Sequence, residues 1–106
     1  MVVGEFTRET DLLVLGGGPG GYTAAFKAAQ RGIATTIVES TPFLGGVCLH
    51  RGCIPSKTLL GIAELLTLPD HARAMGVDFA KATFDLDKVN DWKSKVITKL
   101  ARGLGA

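Results

Sequence analysis

The chain has 106 residues, 46% hydrophobic and 21% charged, with 14 glycines, four prolines and two cysteines, which fits one small globular domain and excludes disordered and collagen-like classes. Twelve Lys and Arg against ten Asp and Glu leave a formal net charge of +2, too balanced to point to nucleic acid or an acidic membrane surface. The apolar runs are short, Glu64 interrupts the longest leucine-rich stretch, and nothing reaches the roughly 20 residues of a membrane helix.

Met1 to Thr10 reads as a polar leader whose Glu5 and Glu9 do not suit a signal peptide, so the chain is expected to be soluble and cytoplasmic. Leu12-Leu13-Val14-Leu15 follows Asp11 and ends at Gly16, the pattern of a strand buried on both faces. Tyr22, Ala25, Phe26 and Ala29 then recur at helical spacing up to Arg31-Gly32, where a basic last turn and a glycine stop the helix. Thr35 to Glu39 is rich in β-branched residues and predicts a second strand. These pieces form one βαβ unit with parallel strands.

From Pro55 onward, Leu59, Ile62, Ala63 and Leu66 predict a second helix ending before Pro69, with a brief extended piece around Val77 to Phe79. Leu86, Val89, Trp92, Val96 and Leu100 predict a third helix and a core stripe, capped by Asp85 or Asp87 and followed by Gly103 and Gly105. Lys93, Lys95 and Lys99 read as its solvated face. Two strands leave exposed sheet edges and a thin core, so residues 1–106 are expected to be an α/β part of a longer domain.

Gly16, Gly18 and Gly21 form G-x-G-x-x-G between the predicted strand and helix. In that position the first glycine permits the tight turn, the second admits a pyrophosphate to the backbone, and the third allows close helix-to-strand packing. The helix N-terminus supplies free N–H groups and positive potential. Glu39, 18 residues after Gly21, is suited to accept hydrogen bonds from an unphosphorylated ribose. The motif does not separate NAD from FAD, and the bland alternative is a flexible turn beside a solvent-facing Glu.

The second constellation is Gly45-Gly46-Val47-Cys48-Leu49-His50-Arg51-Gly52-Cys53-Ile54-Pro55-Ser56-Lys57. Cysteines five apart sit roughly 140° apart around a regular helix, so bridging them needs a distorted turn, which Gly52 and Pro55 suit. So small a loop constrains the unfolded chain by only about 2 kcal/mol, which favours a redox pair over a staple. Arg51, Lys57 and the dipole of a helix starting at Pro55 all favour the thiolate. Competing readings are inert thiols and a zinc site built from Cys48, His50, Cys53 and His71. A phosphate-loop frame ending at Lys57-Thr58 fails twice, at Arg51 and Ser56.

GGGPGG followed by Tyr22, together with GGVCLHRGCIPSK and the third-helix stretch DLDKVNDWKSKVITKLARGL, resembles the flavin-dependent pyridine nucleotide-disulfide oxidoreductases. The match covers essentially the whole chain. Leu49, Ile54 and Ser56 resemble the dihydrolipoamide dehydrogenase branch more than glutathione or mercuric reductases. The resemblance implies a Rossmann-like FAD-binding unit followed by a redox-disulfide helix and a further helix. Gly16, Gly18, Pro19, Gly20 and Gly21 would lie at the FAD pyrophosphate, Glu39 at the adenosine ribose, and Gly45, Gly46, Val47 and Cys48 along the flavin. Cys48 would be the interchange thiol and Cys53 the thiol that passes electrons to the flavin, with Lys57 beside the ring.

Val47 replaces a frequent Thr, and Arg51 replaces a frequent Val, adding a charge that would tune the redox pair. The resemblance further implies oxidation of protein-bound dihydrolipoamide and reduction of NAD, in a homodimer serving the lipoyl-bearing acyltransferase subunit of a 2-oxoacid dehydrogenase complex or a glycine cleavage system. The NAD-binding and dimerisation domains and the catalytic His-Glu pair are expected beyond residue 106, so the isolated chain is expected to be inactive. The alternatives are another flavin disulfide reductase and a non-catalytic nucleotide-binding thiol switch.

Overall fold

A computed structural model of the chain describes residues 8–105; positions 1–7 of the predicted polar leader lie outside them. Strands β1 (Leu12–Leu15) and β2 (Thr35–Val38) pair in parallel, in register from Leu12 opposite Thr35 to Leu15 opposite Val38. Helix α1 (Pro19–Ala29) connects them. Pro19 is its first residue, where the missing N–H costs nothing, and the chain leaves the helix through Gly32 at φ +80°. The predicted second strand ends one residue early, at Val38, which leaves Glu39 at its exit.

β1 is not covered on both faces. Its burial alternates, with Leu13 53% and Leu15 77% exposed, because the single crossover helix packs on one side of a two-stranded ribbon.

Three helices follow: α2 (Gly46–His50), α3 (Cys53–Ala74) and α4 (Leu86–Leu104). The start of α3 precedes the predicted one by two residues. Pro55 then occupies the third helical position, where an N–H would have no helical acceptor. α3 also runs through Pro69 instead of stopping before it. A proline there deprives the Leu65 carbonyl of its helical donor, at about 3 kcal/mol in an isolated helix. Its ring is buried, and it shares a cavity wall with Leu66, Ala82 and Phe84 of the returning chain, so tertiary packing overrides the local stop signal.

Val77 to Phe79 forms no strand. Asp85 caps α4, its carboxylate accepting from the N–H groups of Asp87 (3.0 Å) and Lys88 (3.2 Å). The predicted core stripe of α4 is corrected by Trp92, which is 59% exposed. Only Ala101 on that helix is buried, where α4 crosses α2 and α3.

Besides Pro69 and buried glycines, the buried apolar residues among those described are Ala25, Ala28, Leu49, Ala72 and Ala101. The radius of gyration is 20.7 Å, against about 13 Å for a compact chain of this size. Helices and a parallel strand pair therefore make a mixed α/β structure with a thin core. Among the described residues no helix is long and apolar enough to cross a membrane.

Candidate functional site

The turn between β1 and α1 is built by its glycines. Gly16 adopts φ +98°, which only glycine enters without strain, and its N–H extends the sheet ladder to the Val38 carbonyl at 2.8 Å. A Cβ on Gly21 would overlap the Gly16 carbonyl and touch Val14, so the helix can close on the strand only with glycine there. Gly16, Gly18 and Gly20 face open space, with no heavy atom within 4 Å of a would-be Cβ. The first turn of α1 thus presents bare backbone and unpaired N–H groups at the positive end of a helix.

Glu39, half-buried at the exit of β2, grips this turn. Its Oε2 accepts from the Gly17 N–H at 2.7 Å. Its Oε1 accepts from the Thr41 N–H at 2.9 Å and from the hydroxyls of Thr41 and Ser40 at 3.1 and 3.2 Å. The Gly17 and Thr41 backbone bonds, then the hydroxyls, hold the Glu39 carboxyl at a pKa of about 2, against an ordinary 4.5. The next peptide group is also held: the Gly45 N–H donates to the Gly17 carbonyl at 2.7 Å.

Gly45 leads directly into the redox segment. Gly46, at φ +58°, packs so closely on the turn that a Cβ would lie 2.8 Å from Gly18 Cα. One α-helical turn then carries Cys48, closes at Arg51, and gives way at Gly52 to α3, whose first residue is Cys53. Cys48 and Cys53 form a disulfide, their Cα atoms 4.7 Å apart. The break between α2 and α3 is what removes the helical phase angle and brings the sulfurs together. Cys53 sits at the N-terminus of a 22-residue helix, with Lys57 one turn further along, so a thiolate there meets the helix dipole.

The two cysteines have different surroundings. Cys48 lines an apolar cleft of about 350 Å³ together with Pro19, Tyr22, Leu49, Ile54, Leu100 and Leu104, whereas Cys53 is exposed. A second cleft, of about 540 Å³, runs from Glu39 along Thr41 and Phe43 to Val47 and Arg51. His50 bonds the Leu44 carbonyl at 2.9 Å through Nε2, which must therefore carry the proton. With Cys48 and Cys53 bonded to each other and His50 engaged in its own loop, the zinc reading loses its ligands.

The family described as "Pyridine nucleotide-disulphide oxidoreductase" matches residues 10–103. The chain belongs to this family. The dihydrolipoyl dehydrogenases of Bacillus subtilis and Geobacillus stearothermophilus are each 49% identical over 104 residues, covering 98% of this chain and 22% of theirs. The Staphylococcus aureus enzyme of the same name is 48% identical over the same span. The chain therefore spans about a fifth of the length of those relatives. A solved Cu(II) complex of the HOCl-induced flavoprotein disulfide reductase RclA from Escherichia coli matches with TM-score 0.71 at 23% identity, covering 92% of this chain and 19% of that one, a likeness of fold.

No motif in the sequence marks Gly17, whose N–H and carbonyl tie three segments together, or Ser40 and Thr41, whose hydroxyls bond the Glu39 carboxylate. Ser-Thr-Pro directly after an acidic strand end is a turn signal that could have pointed to them. Leu100, which its spacing places on the α4 stripe, and Leu104, to which the sequence assigns no role, border the cleft at Cys48. Lys57 is exposed and borders neither of the two clefts.

Proposed function

We propose that the chain is the N-terminal FAD-binding and redox-disulfide portion, itself part of a longer Rossmann-like domain, of a dihydrolipoamide dehydrogenase. The observation that carries this reading is a disulfide seated between a bare Gly-rich turn, held through Gly45, and an apolar cleft lined by Cys48. The family membership and the names of the relatives support it.

The residues present fit FAD. The open faces of Gly16, Gly18 and Gly20 give an anion unobstructed access to the first turn of α1, where Pro19 and Gly21 complete the cradle for the pyrophosphate. Glu39 stands within reach for a ribose, and Gly45, Gly46 and Val47 lead from the turn to the sulfurs. Lys57, one turn from Cys53, is proposed to lie beside the ring. When bound, FAD would supply an acceptor for the electron pair of the cysteine dithiol on its way to NAD, whose own site is proposed to lie outside this chain.

A dihydrolipoamide thiolate entering the apolar cleft attacks Cys48 Sγ, forming a mixed disulfide and releasing Cys53 as a thiolate. The second substrate thiol attacks the substrate sulfur of that mixed disulfide. Lipoamide leaves as the cyclic disulfide, and Cys48 leaves as a thiolate. Two electrons have passed from the substrate dithiol to the cysteine pair, and the two thiol protons go to solvent or a base. Helix dipole and Lys57 favour Cys53 as the leaving thiolate. The proposed setting is a cytoplasmic homodimer, with the lipoyl-bearing acyltransferase subunit of a 2-oxoacid dehydrogenase complex, or a glycine cleavage system, presenting the substrate.

The test uses the full-length protein with Cys48→Ser and Cys53→Ser. Both variants are expected to lose NAD-linked dihydrolipoamide oxidation. Upon anaerobic reduction, Cys48→Ser is expected to keep a long-wavelength absorption band from the Cys53 thiolate, and Cys53→Ser to lack it. Retained turnover in either variant, or reduction of glutathione disulfide or mercuric ion in place of lipoamide chemistry, would overturn the reading.

A further inference from the structure

We infer that Glu39 is a positioning residue: through Gly17 it sets both the Gly-rich turn and Gly45, three residues ahead of Cys48, before any nucleotide arrives. The role rests on the flavin reading only for what the turn receives. Its geometric basis is a pair of short hydrogen bonds on one buried residue, Gly17. Glu39 Oε2 takes the Gly17 N–H at 2.7 Å, and the Gly17 carbonyl takes the Gly45 N–H at 2.7 Å. The two groups lie on consecutive peptide units joined at the Gly17 Cα, so fixing the first unit limits how the second can turn and holds its carbonyl towards Gly45.

The other carboxylate oxygen is anchored as well. The Glu39 Oε1 is occupied by the Thr41 N–H and the two hydroxyls of Ser40 and Thr41. A carboxylate oxygen has two lone-pair sites, so the three donors on Oε1 crowd it while Oε2 carries Gly17 alone. An incoming ribose hydroxyl therefore either shares Oε2 with Gly17 or displaces Ser40 or Thr41 from Oε1. The Cβ space at Gly17 confirms how tight the grip is, because Leu44 and the Glu39 side chain both crowd it. The charged and titratable groups sharing the adjoining cleft with Glu39 are His50 and Arg51 of the redox segment. The carboxylate stays ionised well below the usual range through its own hydrogen bonds.

The experiment is hydrogen exchange read by mass spectrometry on full-length protein freed of nucleotide, comparing wild type with Glu39→Gln and Glu39→Asp. Glu39→Gln removes the charge, and Glu39→Asp keeps it on a side chain too short to span Gly17 and Thr41 together. In both, peptides covering 16–21 and 42–48 are expected to exchange at least about tenfold faster, while peptides from β1, β2 and α4 are unchanged. The double variant Ser40→Ala/Thr41→Val keeps both backbone donors and is expected to match wild type in those two peptides.

A wild-type readout needs no variant. Protection of 42–48, corrected for intrinsic rate, is expected to persist at about pH 3.5, where an ordinary glutamate is mostly protonated. Faster exchange confined to 39–41, or loss of the 42–48 protection near pH 4.5, would overturn the inference. Because no cofactor is present, a protein that binds no flavin but shows the coupled exchange refutes the flavin reading alone.

Discussion

Adjacent glycines in the first turn of α1 are expected to respond oppositely to the same added methyl. Gly20 and Gly21 both lie in helical backbone, so replacing either with alanine brings the same propensity gain, at most about 1 kcal/mol and less in a first turn. At Gly20 the methyl meets nothing within 4 Å, and the variant is expected to be more stable by about 0.5 kcal/mol. At Gly21 it lands on the Gly16 carbonyl. That oxygen belongs to a backbone turn already committed to φ +98°, so it cannot swing aside as a side chain could. Overpacking of this kind costs about 1–3 kcal/mol, and the upper part of that range applies against backbone. The two variants should therefore differ by about 2–3 kcal/mol. Urea unfolding of the nucleotide-free full-length protein reads this as a lower midpoint for Gly21→Ala, at a shared slope for both variants. Equal midpoints would refute the account of the third glycine. Under the proposed function the order reverses in one respect: Gly20→Ala, though stable, places its methyl where the pyrophosphate approaches and should retain flavin less well.

The remaining predictions concern other elements. Gly46→Ala combines φ +58° with a Cβ 2.8 Å from Gly18 Cα, and should lose about 2–4 kcal/mol by the same denaturation assay. Glu39, lowered to about 2 in the folded chain from 4.5, contributes stability that is full above about pH 4.5 and lost as pH falls towards 2. Acid titration of wild type should accordingly show a sloping loss across that window that Glu39→Gln lacks. Asp85→Ala removes two backbone acceptor bonds at the α4 N-terminus and should cost about 1 kcal/mol, visible as faster exchange in the first turn of that helix. Arg51→Val removes an exposed charge that lies between the two cysteines in sequence, worth up to ~1 kcal/mol to a thiolate, or about 20 mV for a two-electron couple. Redox titration should find the disulfide harder to reduce by that amount, and an unchanged potential would separate Arg51 from the redox pair.

Local signals in the sequence determined the βαβ order, the helix that follows the glycine cluster and the choice of Asp85 or Asp87 as the cap of α4, and they singled out the cysteine pair. Each depends on chemistry within a few residues: apolar spacing beside a glycine run, a carboxylate beside free N–H groups, two thiols with basic neighbours. The resemblance carried by GGVCLHRGCIPSK supplied the family, because a motif of that length holds more information than any hydrophobic period.

Pairings between distant segments were settled only in three dimensions. Pro69 stays inside α3 because Phe84 and Ala82 return beside it, a contact invisible to a propensity rule. Trp92 has core spacing but an exposed side chain, since the period of a helix says which residues share a face and not whether anything covers it. Glu39 reads in sequence as a ribose acceptor. In the fold its carboxylate already accepts from Gly17, Ser40 and Thr41, because the parallel register brings the exit of β2 beside the turn after β1. The break at Gly52 that lets Cys48 meet Cys53, and the apolar cleft that distinguishes the two sulfurs, likewise arise from packing of α2 against α3 and α4. A sequence lists the groups available for hydrogen bonding and burial, and which of them meet depends on the one arrangement that satisfies the backbone everywhere at once.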